Sequence, residues 1–307
     1  MKLNGVAIED TFAEAFSMRA TRIVITADTA DWARIAAESL TGFATSVIAC
    51  GCEAGIEPPL ASDETPDGRP GVAVLLFAMS SKDLQKQLRD RVGQCVLTCP
   101  GTACFDGLES EERLELGSQL RYFGDGYQIS KRIDGERFWR VPVMDGEFLC
   151  ADSVGMTRGV GGGNFLVLGA SRAETRAATE QAVAAMRALP GVILPFPGGI
   201  VRSGSKVGSK YQALIASTND AYCPTLRGQT ATALPDSVES VLEIVIDGLT
   251  EAEVRAATRA GIEAACSPGP DGGVIAISAG NYGGKLGQYH FKLREILGGE
   301  SLVGAGT

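Results

Sequence analysis

The sequence predicts an α+β fold of two tandem βαββαβ lobes, each with an antiparallel sheet, and an added β-meander. Two observations predict this fold. Strand–helix–strand patterns occur four times, two in each half of the chain, and a stretch of alternating residues with Asp-Gly turns separates the halves. With 307 residues, 45% of them apolar and 21% charged, the chain is long enough to bury the cores of two lobes.

The first lobe is predicted from two consecutive patterns. Thr29 can cap a first helix that runs to about Leu40, and Ser81 begins a second helix, where apolar residues recur at helical spacing. The predicted strands are residues 22–26, 46–49, 72–77 and 95–98. The meander follows, with turns at Asp134-Gly135 and Asp145-Gly146, and we expect it to extend the sheet of the first lobe.

The second lobe repeats the scheme, with helices at about residues 173–188 and from the Thr250 cap to about residue 265. Its predicted strands are residues 164–168, 191–194, 241–246 and 274–278. Both halves resemble ferredoxin-like lobes, whose antiparallel sheets carry helices on one face. The expected domains are residues 1–155, residues 156–297 and a Gly-rich tail, 298–307, that is poorly ordered unless a partner holds it.

Composition excludes several classes of function. A net charge of -9 argues against nucleic-acid binding, which needs clustered Lys and Arg. No apolar run reaches the roughly 18 to 20 residues of a membrane span, and residues 1–10 lack the features of a signal peptide, so we expect a cytoplasmic protein. The one histidine, His290, lies in an alternating strand pattern, which argues against Ser-His-Asp or Cys-His catalysis and most catalytic zinc sites.

Three tempting motifs do not fit their usual functions. The glycines of residues 159–163 precede a strand, whereas a dinucleotide-binding motif follows one. Residues 199–206 end in Gly-Ser-Lys instead of Gly-Lys-Ser/Thr, so they do not predict a phosphate loop. The eight cysteines lack paired CxxC spacing, so we expect free thiols and no metal site.

Several loop segments have distinctive polar and Gly-rich sequences that packing of a hydrophobic core does not explain. They are ETPDGRPG (64–71), YFGDGYQ (122–128), FPGGIVRSGSKVGSK (196–210), STNDAYCP (217–224) and SAGNYGGKLGQY (278–289). Together with NGVAIEDTFAEAF (4–16), they resemble the formylmethanofuran:tetrahydromethanopterin formyltransferase family. The resemblance runs from about residue 3 to about residue 293.

The resemblance implies direct formyl transfer between methanofuran, or a close analogue, and tetrahydromethanopterin. Both carriers are then substrates, and the resemblance implies no metal, nucleotide or covalently bound cofactor. It also implies a homotetramer or, as in methylotrophic bacteria, one subunit of a formyltransferase/hydrolase complex. There, transfer would run toward formylmethanofuran. The alternative is a non-catalytic scaffold or binding subunit that has kept the fold, which gaps in the polar loops would favour.

Amine attack on a formamide needs hydrogen-bond donors at the oxygen and a group that carries protons between amines. Gly-rich loops can supply backbone donors, and Lys206, Lys210 and Lys285 in these loops suit anionic tails on the carriers. Each lysine could equally be a solvated surface charge. The other candidates for substrate binding are Ser209, Ser217, Asn219, Asp220, Gln94 and Asn281.

Two of these groups have ordinary explanations as well. Ser217, Asn219 and Asp220 could form an Asx-type turn whatever the function. Gln94 and Asn281 stand beside apolar strand patterns, where a buried amide must find partners in the protein or a ligand.

Glu243 is the residue that the resemblance places at the position of the family's catalytic carboxylate. By alternation alone, it would lie on a water-facing side of its strand. If the lobe junction covers this polar face, desolvation raises the affinity of the carboxyl for a proton. Glu243 could then take the proton from the attacking amine and deliver it to the leaving amine.

Overall fold

The structure is a computed structural model that describes residues 1–298. Backbone contacts divide the chain into two compact units. The N-terminal unit is Met18–Gly159, and the C-terminal unit comprises Met1–Ser17 together with the chain from Val160 onward. Residues 1–17 were expected in the first lobe, but their contacts group them with the second half of the chain. The division into lobes at residues 155/156 remains a prediction.

Each secondary-structure element has the following bounds. The strands are β1 (Lys2–Leu3), β2 (Val6–Ile8), β3 (Phe12–Thr26), β4 (Glu53–Leu60), β5 (Gly71–Ala78), β6 (Ala103–Asp106), β7 (Arg113–Glu115), β8 (Ile129–Ile133), β9 (Glu136–Val143), β10 (Gly146–Ala151), β11 (Ser153–Gly155), β12 (Thr157–Gly169), β13 (Val192–Ile193), β14 (Lys206–Val207), β15 (Ala216–Ser217), β16 (Ser240–Gly248), β17 (Val274–Ser278) and β18 (Tyr289–Lys292). The helices are α1 (Ala30–Thr41), α2 (Val47–Cys50), α3 (Ser81–Arg91), α4 (Gly117–Leu120), α5 (Arg172–Arg187), α6 (Glu251–Cys266) and α7 (Leu293–Ile296).

The sheet of the N-terminal unit has the strand order β4-β5-β3-β6, and every neighbouring pair in this set is antiparallel. The predicted meander is confirmed as β8, β9 and β10, and it extends this sheet because β10 pairs with β6. That pairing is parallel, so the expectation of a purely antiparallel sheet is wrong here: β10 returns to the free edge of β6 in the same direction.

The sheet of the C-terminal unit has the order β13-β16-β12-β17, again antiparallel throughout. A parallel neighbour, β2, then pairs with β17. The first residues of β3 pair with β18, in register from Phe12 to Ala15. Both sheets are therefore mixed, and the coarse prediction of an α+β fold is confirmed.

Helices pack on one face of each sheet. In the C-terminal unit, Phe165, Ile244 and Ile246 of the sheet share a buried core with apolar residues of α5 and α6. Gly261 of α6 permits this packing, since a Cβ there would lie 2.5 Å from the sulfur of Met186. In the N-terminal unit, α1 and α3 contribute Ala36, Ala37, Leu40, Leu84 and Leu88 to a second core.

Two predicted strands are helical instead. Residues 46–49 fall largely in α2, where the Ser46 side chain accepts a hydrogen bond from the N–H of Ile48. Residues 95–98 continue the helical path of α3 as a π-turn, in which the N–H of Leu97 donates to Val92 at 2.9 Å. Short apolar runs do not distinguish a strand from a buried helical turn, which explains both errors.

Within the described residues, no helix is long and apolar enough to cross a membrane. The predicted flexible tail, 298–307, lies outside the described residues except for Gly298.

Candidate active site

Glu243 lies in the middle of β16, and its backbone is held firmly. Its N–H donates to Val201 at 2.9 Å, and its carbonyl accepts from the N–H of Val201 at 2.8 Å. On the other side, Glu243 stands directly opposite Leu166 of β12. Because both backbone groups of Glu243 bond to Val201, Glu243 and Leu166 form the close, non-hydrogen-bonded type of pair.

The Glu243 side chain lines a small cavity of about 80 Å³ that is partly open to solvent. Only residues of the C-terminal unit line it, so loops of this unit, and not the expected lobe junction, form its wall. The other lining residues are Asn164, Leu166, Val201, Arg202, Ser203, Gly204, Ser205, Asn219, Tyr222, Cys223, Val241, Gly280, Asn281 and Tyr282.

Desolvation raises the pKa of Glu243 from 4.5 to about 7. In the described part of the chain, no Lys or Arg forms an ion pair with it at 4.0 Å or less. Near neutral pH, the carboxyl therefore populates both its protonated and its ionised form, as a group that exchanges protons requires.

Another part of the cavity wall is the start of the loop between β17 and β18, which Glu14 of β3 anchors. The Glu14 carboxylate accepts hydrogen bonds from the N–H groups of Tyr282 (2.7 Å), Gly284 (2.9 Å), Leu286 (2.6 Å) and Gly287 (2.6 Å). Burial alone would raise the pKa of Glu14, but these four donors outweigh it and hold the pKa below its ordinary value.

Asn164 fixes the start of the same loop. Its amide oxygen accepts from the N–H of Gly280 at 2.6 Å, and its amide nitrogen donates to the carbonyls of Gly280 and Gly162. The side chain is buried, and both ends of the amide are satisfied. Sequence patterns did not reveal Glu14 and Asn164, because their loop partners lie 116 or more residues away.

A row of side chains crosses the sheet beside Glu243. Leu166 is directly opposite both Glu243 of β16 and Ser278 of β17, so the three residues share one face. The hydroxyl of Tyr222 lies 3.3 Å from that of Ser278, which donates to Glu9 at 2.5 Å. Tyr222 is thereby held at the cavity wall.

The predicted residues separate into two groups. Asn219 and Asn281 line the cavity with Glu243. Lys206, Ser209, Lys210, Ser217, Asp220, Lys285 and Gln94 are not among its lining residues. Asn219 makes no capping hydrogen bond with its side chain, so its amide is not used for the Asx-type turn that was the alternative.

The loops beside the cavity contain most of the second group. Lys206 forms an ion pair with Asp220 at 2.6 Å, and this bond lowers the pKa of Asp220. Ser217 donates to the carbonyl of Gly208 at 2.7 Å, and Ser209 accepts from the N–H of Tyr211 at 3.0 Å. These contacts shape the loop that carries Lys206.

The two expected buried amides are both exposed. Gln94 belongs to the N-terminal unit, where it lies in the π-turn instead of a strand. Asn281 donates to Thr11 and to the carbonyl of Phe12, and it accepts from the N–H of Gly283. Asn164 is the buried amide of the site, so the expectation that Gln94 and Asn281 are buried is wrong.

Positive charge near the cavity comes from Arg202, which was not among the residues predicted from the sequence. Its exposed side chain lines the cavity and forms no ion pair with the carboxylates of the described residues. Lys285 and Lys210 are also exposed. Among residues 1–298, no cluster of three or more His, Cys, Asp or Glu side chains could hold a metal ion.

A carboxyl with a pKa near neutrality, set in a cavity with amide and hydroxyl groups, is suited to proton exchange and is typical of the class of acid–base enzymes. Comparison with known proteins gives the particular family. The model of the formylmethanofuran-tetrahydromethanopterin formyltransferase family matches residues 1–143, and the model of its proximal lobe matches residues 146–296. The chain belongs to this family.

Individual relatives agree over nearly the whole length. A protein of Methylococcus capsulatus named formylmethanofuran–tetrahydromethanopterin formyltransferase is 64% identical, over 97% of this chain and 100% of the relative. One component of the formyltransferase/hydrolase complex of Methylorubrum extorquens is 58% identical, over 96% of this chain and 97% of the relative. The crystal structure of that organism's complex with methylofuran contains a chain with a TM-score of 0.95 and 56% identity, covering 98% of this chain and 99% of that one.

Proposed function

We propose that this formyltransferase moves a formyl group between methanofuran, or a close analogue, and tetrahydromethanopterin, with Glu243 as the proton carrier. The observation that carries the proposal is the Glu243 carboxyl, desolvated to a pKa of about 7 in a polar cavity. Membership in the family supports an enzyme over a non-catalytic scaffold. The polar loops that a scaffold could have lost are present around the cavity.

The transfer proceeds through one tetrahedral intermediate. The amine nitrogen of tetrahydromethanopterin attacks the formyl carbon; its lone pair forms the new C–N bond, and the carbonyl electron pair moves onto oxygen. The proton of the attacking nitrogen passes to the Glu243 carboxylate. When the oxyanion collapses, the bond to the methanofuran nitrogen breaks, and that nitrogen takes the proton from Glu243. The carboxylate is thereby regenerated, and the reverse reaction follows the same path.

The other polar groups at the cavity bind and orient the substrates. Amide and hydroxyl groups of Asn219, Asn281 and Tyr222 line the cavity beside Glu243 and can donate to the oxygen on which charge develops. Lys210, Lys285 and Arg202 are exposed around this unit's loops, where they attract anionic tails of the carriers. Lys206, Ser209, Ser217 and Asp220 are proposed to shape the carrier-binding loop, and Gln94 remains a proposed contact.

We also propose finer features of the architecture and assembly. The strand orders β4-β5-β3-β6 and β13-β16-β12-β17, with helices on one face, support two ferredoxin-like lobes. The likeness to a component of the Methylorubrum extorquens complex, in sequence and in structure, supports assembly with partner proteins, and a homotetramer is the alternative. A metal is not required by the proposed step, because Glu243 and hydrogen-bond donors meet its needs.

Glu243→Gln tests the proposed function. The amide keeps the size of the side chain but cannot carry the proton, so turnover should fall by about 10²- to 10⁴-fold while both carriers still bind. The matched control is Glu239→Gln just before β16, since the Glu239 side chain is 61% exposed and does not line the cavity.

Formyl transfer is followed in both directions with purified carriers, and carrier binding is measured by calorimetry. The proposal predicts a loss of turnover in Glu243→Gln alone. Turnover of Glu243→Gln within a factor of about 3 of the control would reject Glu243 as the proton carrier. Absence of transfer in the unaltered protein would reject the function itself.

A further inference from the structure

We infer that Glu14 is a positioning residue for formyl transfer: its carboxylate holds the β17–β18 loop so that Tyr282 and Asn281 close the Glu243 cavity. The inference rests on the proposed function and deepens it, because it assigns a role to a group that need not touch either carrier. Glu14 lies on β3, far from the loop in the sequence.

The Glu14 carboxylate is placed to hold the backbone of the β17–β18 loop. The residue is only 1% exposed, and its two oxygens each accept two N–H groups of the loop, at 2.6 to 2.9 Å. A buried carboxylate is costly unless several donors satisfy it, and these four donors do so. A Gln side chain at this position would offer one acceptor and turn an NH2 group toward N–H groups of the loop.

The loop depends on this anchor for its shape. Of the six residues 282–287, four donate their N–H groups to Glu14, and Gly283 donates to the side chain of Asn281. Gly283 and Gly284 have φ values of 75° and 72°, a backbone conformation that does not form a regular strand or helix. Without Glu14, these N–H groups lose their common acceptor, and the loop loses its fixed path.

The path of the loop determines how far the Glu243 carboxyl is shielded from water. Tyr282 lines the cavity, and its ring lies 6.1 Å from that of Phe16, measured between centroids. Desolvation raises the pKa of the Tyr282 hydroxyl, and the negative charges of Glu243 and Glu14 raise it further. The remaining ionisable groups that line the cavity are Arg202, Tyr222 and Cys223, none of them on this loop. A loosened loop admits water to Glu243 and leaves those groups in place.

Glu14→Gln should therefore change the pH dependence of catalysis as well as its rate. We expect kcat/KM to fall on the order of 100-fold, the typical effect of misplacing reacting groups by about 1 Å. The Glu243 inflection in the pH profile of kcat/KM, which reports the free enzyme, should move from about 7 toward 4.5, since water then solvates the carboxylate. Hydrogen exchange of the amides of residues 282–287 should become faster.

Two further variants keep the test decisive. Glu295→Gln is the control: it breaks the ion pair with Lys292 in the same unit and should leave the pH profile and the hydrogen exchange of residues 282–287 unchanged. Gly283→Ala strains the loop at a positive φ without touching Glu14, and the new Cβ would meet nothing within 4 Å. It should shift the pH profile in the same direction, even if Glu14→Gln fails to fold.

The outcomes separate the two proposals. Fast exchange of the loop with an unchanged pH profile would overturn the positioning role, since the loop would then be loose with no effect on Glu243. Unchanged exchange in Glu14→Gln would overturn the anchor itself. If the unaltered protein transfers no formyl group, the proposed function fails, whereas hydrogen exchange still decides whether Glu14 holds the loop.

Discussion

Replacing Glu243 with Gln should raise the stability of the protein relative to the unaltered chain as the pH increases from 5 to 8. Folding raises the pKa of this carboxyl from 4.5 to about 7, so the folded state binds its proton more tightly than the unfolded state does. The contribution of Glu243 to stability is then most favourable below about pH 4.5 and becomes less favourable as the pH rises toward 7. Glutamine is always neutral and does not have this pH dependence.

The pKa change sets the magnitude. At about 1.36 kcal/mol for each pH unit, the step from 4.5 to about 7 corresponds to about 3 kcal/mol. The variant should therefore gain up to about 3 kcal/mol over the unaltered protein between pH 4.5 and pH 8. Most of this gain should appear below pH 7, because the linkage ends once the carboxyl is ionised in both states.

The assay is urea unfolding of both proteins at pH 5 and pH 8, at one protein concentration, because assembly also contributes to stability. Glu263→Gln is the control, since that side chain is 50% exposed on α6. The expected result is a rise in the relative stability of Glu243→Gln with pH and none in the control. A constant difference between the two pH values would refute desolvation of Glu243 as described.

Two further predictions concern the carriers and metal. Substitution of Lys206, Lys210 and Lys285 with Met should raise KM about 2- to 5-fold each, more than it lowers turnover. Lys210 and Lys285 are exposed charges, and Lys206 shapes the binding loop through its ion pair with Asp220. Added salt should reduce the difference in KM between each variant and the unaltered protein. Unchanged KM values would show that these lysines do not contribute to carrier binding. Dialysis against a strong chelator should leave transfer rates unchanged; a loss that zinc restores would contradict the proposed metal-free step.

Periodicity predicted most of the elements, since apolar spacing determines which face a helix or strand buries. The helix capped by Thr29 and the one capped by Thr250 begin where the sequence indicates. The failures at residues 46–49 and 95–98 are short apolar runs, for which burial in a helical turn and burial in a strand produce the same pattern.

The site was predicted less completely, because long-range contacts build it. Alternation along β16 predicts the side of the strand on which Glu243 lies, but it does not predict what covers that side. The covering loops come from residues 201–205, 219–223 and 280–282. Glu14 and Asn164 have no local signal, since each acts on backbone groups more than 100 positions away. The family resemblance identified Glu243 as a candidate, whereas the roles of Glu14 and Asn164 in holding the adjacent loop are visible only in the structure.

The double hydrogen bond between Glu243 and Val201 divides the site into a fixed part and a variable part. The proposed proton carrier, Glu243, is hydrogen-bonded through its backbone, so its position does not depend on the identity of the neighbouring loop side chains. Those loops can exchange residues to fit a furan carrier with a different tail while the reaction centre stays in place. Design of altered carrier specificity should therefore begin at residues 202–205 and 219–223 and leave β16 unchanged.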